Sequence, residues 1–517
     1  MLLLEYAFDG NLTGGVYTCW RSCFVPREIL MTHIDFKKKI SFARLRTSGS
    51  DIHHAFESDR GMIINSTPIR RLQQKTQVFP LERNSAVRSR LTHSLEVQQV
   101  GRSIVQSIFE QLSNGQMNEY GLTGLERAIE SLVEVACLIH DMGTPPFGHC
   151  GEDAINRWFK ENLPHLAPIK ALYESHPDSM LEPIIHELIH FDGNAQAIRL
   201  VQSLHRFNLT YSQAASVLKY TRPGTGYKIQ VPDDKNYLTK KVGFYITEKY
   251  YIDSMMLELE MAQYCRHPLS YIMEAADDIS YSLADLEDAV EKRILSLETL
   301  KAHLEVTFHQ LEPENRAIKA AETFQSVLND IYQAAQYDEI NPVHKFFIYL
   351  RVEMVQPLVK HAAHQFIHNI HQVYHGNLNR ALLEDHSQFH ALTETFKNIA
   401  FNYVFNNPEV ETLELQGYKI IGGLLSEYRP LLELTQDEFQ ILVNKNGHNN
   451  SIERRFFNKL SRGHVAAYQL ALKNNDVGIT DTKLWEFYLR CRLLQDYVSG
   501  MTDQFAFDEY KILIVSN

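Results

Sequence analysis

The dipeptide His140-Asp141 is the first place in this chain where residue types alone point to metal chemistry. An imidazole and a carboxylate together suit a divalent ion such as Mn, Fe, Co, Ni or Zn, and an oxygen-richer shell would also admit Mg. Adjacent helix positions lie about 100° apart, so both side chains reach one cation only if it sits beside the end of the helix. Other helices must then supply the remaining ligands. Because the chain has 24 histidines, a His-Asp dipeptide is expected by chance. Only the surrounding sequence can indicate whether this one binds a metal.

A second metal-like pattern, His186-Glu187-Leu188-Ile189-His190, matches the H-E-x-x-H motif of zinc metalloproteases. Its two histidines would share one helix face, and its glutamate would be available as a base. The extended form of this motif needs a third histidine at the position of Gln196. A zinc metalloprotease is therefore a remote alternative.

The elements that must position these residues are helices. Leu132, Val133, Ala136 and Ile139 recur at spacings of three and four, which predicts a helix stopped by Gly143 and the two prolines after it. Similar patterns predict helices over 255–262, 272–289, 344–374 and 485–497. Residues 221–247 differ, because turn residues precede short alternating runs at 227–231 and 242–246, which predicts a small β-hairpin. The predicted fold is all-α with a small β-hairpin insertion.

Composition and charge limit the class of protein. The 517 residues are 44% hydrophobic and 22% charged, which is typical of a folded globular chain. Six scattered cysteines predict a reducing compartment, and the absence of a long apolar run or a basic leader predicts a cytoplasmic protein that does not enter membranes. The net charge is −12, yet residues 31–102 carry 13 Lys or Arg against six acids. This local excess suits either a small polyanion held in a site or a solvated face.

Three longer motifs give His140-Asp141 its context. They are RLTHSLEV at 90–97, CLIHDMGTPPFGH at 137–149 and EAADDISY at 274–281. In this order they resemble the motifs of the HD-domain superfamily and, within it, the deoxynucleoside triphosphate triphosphohydrolase branch, most closely its bacterial members that act on dGTP. The resemblance continues through 57–60, 70–79, 190–196, 218–223 and 493–497, so it covers about residues 31–510.

The resemblance implies an organisation for the chain and a metal site. Residues 31–300 would form an HD-type catalytic core and 301–517 a helical C-terminal region packed on it, while 1–30 would be a non-functional extension. The implied ligands of a divalent metal, Mg²⁺ or Mn²⁺, are His93, His140, Asp141 and Asp277. Asp278 is an alternative to Asp277. Two imidazoles and two carboxylates leave open positions for water and a phosphate oxygen.

The implied reaction is hydrolysis of dGTP, or of other dNTPs, at the α-phosphorus to deoxynucleoside and inorganic triphosphate. By analogy with the family, His149 would donate or relay a proton and Glu152 would orient it, although His149 could instead cap a helix. The implied substrate contacts are Gln77 and Asp285 to the 3′-hydroxyl, Tyr281 to the deoxyribose face, Lys219, Tyr220 and Arg60 at the triphosphate or the mouth, and Asn194 in the pocket. Met62 and Gly463 stand where the pattern leads us to expect arginines. A homo-oligomer, with a hexamer as the expected form, is also implied.

A third hypothesis is a regulatory HD-type protein that senses nucleotides or binds single-stranded nucleic acid with little turnover. The basic segment between Lys37 and Arg90 permits such binding. Retention of all four implied ligands together with His149 and Glu152 favours an enzyme.

Overall fold

The structure, a computed structural model, describes residues 33–46, 52–175, 180–444 and 451–514. These residues fold mostly into helices. In chain order the α-helices are α1 (Ile52–Ile64), α2 (Thr67–Leu72), α3 (Arg90–Gln111), α4 (Asn114–Glu119), α5 (Glu126–Ile139), α6 (Gly148–Asn162), α7 (Ala167–Ser175), α8 (Leu181–Leu188), α9 (Gly193–Arg199), α10 (Tyr211–Val217), α11 (Lys249–Glu258), α12 (Pro268–Glu291), α13 (Leu297–Leu311), α14 (Phe324–Gln336), α15 (Pro342–His368), α16 (Ile370–His375), α17 (Gln388–Ile399), α18 (Pro408–Tyr428), α19 (Pro430–Glu433), α20 (Gln436–Val443), α21 (Ile452–Lys459), α22 (Arg462–Asn474), α23 (Thr482–Ser499) and α24 (Asp503–Leu513). The strands are β1 (Arg222–Pro223), β2 (Val242–Phe244), β3 (Ala317–Lys319) and β4 (Glu322–Thr323).

Helices α3, α5 and α12 pack against one another and form the frame of the molecule. The side chain and backbone of Ser89 pair with Thr92 in a capping box that starts α3. Helix α5 is buried on almost every face. A Cβ atom built on Gly101 of α3 would lie only 2.7 Å from Cys137 Sγ and 3.0 Å from Val133 of α5, so the glycine allows the two helices a close approach.

The predicted all-α fold is confirmed. The apolar period at 132–139 lies in α5, 272–289 in α12 and 485–497 in α23. The stretch 344–374 forms α15 and α16, which meet at Asn369. Helix α11 covers the start of 255–262 and ends at Glu258.

The hairpin predicted within 221–247 is wrong in its pairing. Strand β2 forms where expected, but its partner is β1, and the two run parallel. The predicted first strand is instead a short 3₁₀ turn at Lys228–Gln230. A Cβ atom on Gly243 would lie 1.8 Å from the carbonyl oxygen of Tyr220, so the glycine lets β2 lie directly against the chain that leads into β1. An antiparallel pair does form elsewhere, between β3 and β4.

One large hydrophobic core runs from Ile34 to Val410, and a second one joins α6–α8 to α18–α24. Side chains from both sides of residue 300 share the first core, and the predicted boundary there stays a prediction. The extension predicted at 1–30 lies outside the described residues. Within the described part of the chain, we find no helix with both the length and the apolar character that a membrane span requires.

Candidate active site

Three helices bring His93, His140 and Asp277 together. His93 lies in the first turn of α3, His140 directly follows α5, and Asp277 lies in the middle of α12. Asp277 Oδ1 is 3.1 Å from His93 Nε2 and 3.5 Å from His140 Nε2. One ligand atom from each of the three residues lies within 4.8 Å of the other two.

The chemistry of these donors fits a divalent metal. The Nδ1–H of His140 donates to the carbonyl oxygen of Cys137 at 2.7 Å, so its Nε2 is free to ligate. Burial alone would raise the pKa of Asp277, but the charge of His140, hydrogen bonds from both histidines and the charge of Lys219 hold it well below its usual range. The carboxylate is therefore ionised and ready to bind a cation.

Asp141, the fourth implied ligand, lies next to this group but is held by other partners. Its Oδ2 accepts from Arg90 and its Oδ1 accepts from the Thr144 hydroxyl. Burial opposes ionisation, yet the Arg90 and His140 charges lower the pKa of Asp141 to about 2. Asp278, the alternative to Asp277, turns instead to Lys397 of α17, whose Nζ lies 3.4 Å from its Oδ1.

His149 and Glu152 form a hydrogen-bonded pair at the start of α6. The His149 Nδ1 lies 3.0 Å from Glu152 Oε2, and the other carboxylate oxygen accepts from the backbone N–H of Gly193 at 2.8 Å. Glu152 is buried, whereas the His149 side chain is 83% exposed. Because Nδ1–H is used for the carboxylate, Nε2 is the end of His149 that can reach a substrate.

A cavity of about 470 Å³ opens over this arrangement. The three residues His93, His140 and Asp277, called here the metal-type cluster, line this cavity, and so does the His149–Glu152 pair. So do five other residues selected from the sequence, namely Gln77, Asn194, Lys219, Tyr220 and Tyr281. Its size suits a nucleotide-sized ligand.

Four cationic side chains among the described residues border the cavity. Lys219 Nζ lies 3.6 Å from Glu274 Oε1 and 3.9 Å from Asp277 Oδ2. Arg90, Lys240 and Lys241 complete the set, and none of the three was predicted as a site residue. Arg90 stands inside the motif at 90–97 that carries His93, which is the signal that could have identified it. Lys240 and Lys241 lie in the irregular segment before β2, where no motif marks them.

The residues proposed for the sugar are only partly exposed to the cavity. Gln77 lines it, and the buried Oε1 atom of Gln77 has no hydrogen-bond partner among the residues that the structure describes. Tyr281 lines it beside Phe405, with ring centroids 6.3 Å apart. Asp285 lies one turn beyond Tyr281, is fully buried, and does not line the wall. Burial raises the pKa of Asp285 well above its usual range.

One residue predicted to contact the substrate lies elsewhere. Arg60 of α1 pairs with Glu134 of α5 at 2.7 Å and lines a separate cavity of about 220 Å³, so it does not reach the larger one. Gly463, where an arginine was expected, is followed in α22 by His464, which is buried against Gly500 at the end of α23. Among the described residues, none beyond Glu414 lines the larger cavity.

The metalloprotease pattern is contradicted by its surroundings. Glu187 is fully buried, accepts from Tyr488 at 2.6 Å and forms an ion pair with Arg492 at 2.9 Å. A carboxylate enclosed in this way cannot reach a peptide substrate. Nδ1 of His186 and of His190 both face backbone carbonyl oxygens.

Comparison with known proteins gives a consistent result. An HD domain model matches residues 90–207, which include His93, His140 and Asp141. The chain is 48% identical to a deoxyguanosinetriphosphate triphosphohydrolase of Serratia proteamaculans over 94% of its length and all of the relative's. It is 50% identical to a probable enzyme of the same name from Pseudomonas aeruginosa over 93% of the chain, and 47% identical to one from Cronobacter sakazakii over 94%, each match covering 99% of the relative. The chain therefore belongs to the deoxyguanosinetriphosphate triphosphohydrolase family of HD domain proteins.

Proposed function

We propose that this protein hydrolyses deoxynucleoside triphosphates, dGTP above all, to the deoxynucleoside and inorganic triphosphate. The observation that carries the proposal is the His93–His140–Asp277 cluster in the wall of a nucleotide-sized, cation-lined cavity. The relatives named above carry the same activity in their names. The zinc metalloprotease alternative is excluded by the burial of Glu187.

The metal site consists of His93, His140 and Asp277, with Asp141 as the fourth ligand. Asp141 would complete the set of ligands, and Arg90, which donates to its Oδ2, lies beside the same site. A divalent ion held there, Mg²⁺ or Mn²⁺, supplies the positive charge that a phosphate oxygen needs during hydrolysis.

The cations of the cavity hold the triphosphate. A triphosphate carries about four negative charges, which long ammonium and guanidinium side chains can neutralise without rigid geometry. Lys219 keeps the positive charge that this role requires. Burial would lower its pKa, but the charges of Glu274, Tyr220 and Asp277 raise it, so the side chain stays protonated.

The His149–Glu152 pair supplies the proton. A water molecule attacks the α-phosphorus, the bond between that phosphorus and the 5′ oxygen breaks, and the 5′ oxygen leaves with a proton from His149. Glu152 orients the imidazole through Nδ1 and favours its protonated form. The proton lost by the attacking water returns to solvent as the triphosphate is released.

The wall beside Tyr281 receives the deoxyribose. The unpartnered Oε1 of Gln77 can accept from a 3′-hydroxyl, and the Tyr281 ring packs on the sugar face where a 2′-hydroxyl would clash. Asn194 is held by Asp192, whose Oδ1 accepts from both its backbone N–H and its amide at 2.8 Å. Asp285 is buried one turn along α12 from Tyr281 and does not line the cavity, so no direct contact with the sugar is assigned to it.

Product analysis tests this function. The purified protein is incubated with each of the four dNTPs and Mg²⁺ or Mn²⁺, and the products are separated by ion exchange. We expect deoxyguanosine and triphosphate, with no turnover by an Asp277→Ala variant purified in the same way. Monophosphate with pyrophosphate, or no turnover of any dNTP, would contradict the proposal.

Four further expectations stay predictions. They are the core and C-terminal regions at 31–300 and 301–517, a homo-oligomeric and specifically hexameric state, a cytoplasmic location, and binding of single-stranded nucleic acid. The last belongs to the alternative of a regulatory protein with little turnover. Tight nucleotide or nucleic-acid binding with steep salt dependence and no hydrolysis would favour that alternative.

A further inference from the structure

Two loops that are distant in sequence both line the active-site cavity. One contains Lys75, Thr76 and Gln77, and the other runs from Thr144 to Gly148, just before His149. Both loops form hydrogen bonds with residues near the C-terminal end of the described chain. The ammonium group of Lys75 donates to the carbonyl oxygens of Thr144 at 2.6 Å and Ser499 at 2.9 Å.

Asp503, the first residue of α24, joins the two loops directly. Its Oδ2 accepts from the backbone N–H of Thr76 at 3.0 Å and from the Thr76 hydroxyl at 2.7 Å. Its Oδ1 accepts from the backbone N–H of Phe147 at 3.1 Å. Asp503 is 2% exposed, so water does not compete with Thr76 and Phe147 for its carboxylate.

Each contact lies one or two residues away from a group of the proposed site. Thr76 precedes Gln77, which has the unpartnered oxygen for the sugar. Phe147 has a φ of 63° and Gly148 a φ of 58°, so two successive left-handed residues set the direction of the first turn of α6. The Phe147 N–H is held by Asp503, and His149 follows two residues later.

From this geometry we infer that Asp503 is a positioning residue, which fixes the distance between the sugar contact at Gln77 and the proton donor at His149. The inference rests on the proposed function. Asp503 does not line the cavity and is not a catalytic residue. It acts through Thr76 and Phe147, because a single carboxylate that accepts from both loops sets their separation.

The test is Asp503→Asn, which keeps the size of the side chain but places an NH₂ group against one of the two backbone N–H donors. Because a displacement of about 1 Å can cost up to a hundredfold in rate, we expect kcat for dGTP to fall by about tenfold to a hundredfold. Glu509→Gln is the matched control. Glu509 lies on the same helix and is also buried, but it binds Tyr428 and Lys459 away from the cavity. We expect it to change Tm and leave kcat and KM unchanged.

A double-mutant cycle separates positioning from a general loss of structure. If Asp503 acts through His149, adding Asp503→Asn to His149→Ala should lower kcat by less than threefold further, since the proton donor is already absent. A full additional tenfold loss in that background would overturn the inference, as would a wild-type kcat in Asp503→Asn. If Asp503→Asn does not fold, Thr76→Val removes only the hydroxyl bond and should raise KM for dGTP. An unchanged KM would then overturn the inference. Failure of the wild-type protein to hydrolyse any dNTP would overturn the proposed function instead.

Discussion

Replacing Glu152 with Gln should move the pH dependence of catalysis in a defined direction. The hydrogen bond from His149 to Glu152 raises the pKa of His149, while burial and the charges of Lys241 and Arg90 act against it. The proton donor is therefore present below this raised pKa, and the rate should fall as pH rises through it. In the Glu152→Gln variant the pKa returns toward its ordinary value near ~6.5, so the fall should begin at a lower pH.

The size of the shift follows from exposure. The His149 side chain is 83% exposed and that of Glu152 is 11% exposed, so solvent screens much of their interaction. A screened pair of this kind is worth about 0.5–1 kcal/mol. Losing this stabilisation of the protonated imidazole should move the alkaline limb to lower pH.

The assay is kcat/KM for dGTP between about pH 5.5 and 9.5 at saturating metal, because this parameter reports the groups of the free enzyme. Glu161→Gln is the control. Glu161 lies on the same helix but is exposed and pairs with Arg157 at 2.7 Å. An alkaline limb that stays in place or moves up in Glu152→Gln would refute the assignment. An equal shift in Glu161→Gln would show that the effect is one of net charge.

Three further outcomes are expected. Lys219→Met should raise KM for dGTP about tenfold while Mn²⁺ still binds, since a charged contact is worth about 1.5 kcal/mol; an unchanged KM would remove Lys219 from the phosphate site. Gly101→Ala should lower the free energy of unfolding in urea by about 1–3 kcal/mol, because its Cβ would lie 2.7 Å from Cys137 Sγ. Glu187→Gln should lower it by about 3–5 kcal/mol by leaving Arg492 buried without its anion. A casein assay should detect no proteolysis by either the wild type or this last variant.

The residues of the metal-type cluster could be predicted because each lies in a motif that is local in sequence. The short distances between them depend on how their helices pack, which no local motif reports. His93 and His140 meet because Gly101 lets α3 approach α5, and no periodicity in either helix reports that distance. The same limit explains Arg60. Its motif placed it at the mouth of the site, but α1 packs on α5, where Glu134 provides a buried anion for it.

The irregular segments were predicted least well. The parallel pairing of β1 with β2 needs Gly243 against Tyr220, a contact between residues that an alternating pattern does not connect. Lys240 and Lys241 reach the cavity from this segment for the same reason. Asp503 shows a related limit, because an acid at the start of a helix is ordinarily read as a cap.

The most direct test of the account is to locate the metal itself. Crystals of the protein grown with Mn²⁺ and measured at the manganese absorption edge should show one strong anomalous peak. We predict that the peak lies within about 2.5 Å of the Nε2 atoms of His93 and His140 and of a carboxylate oxygen of Asp277, with Asp141 turned toward it and away from Arg90. A manganese peak elsewhere, with these side chains still in contact with one another, would contradict the central claim.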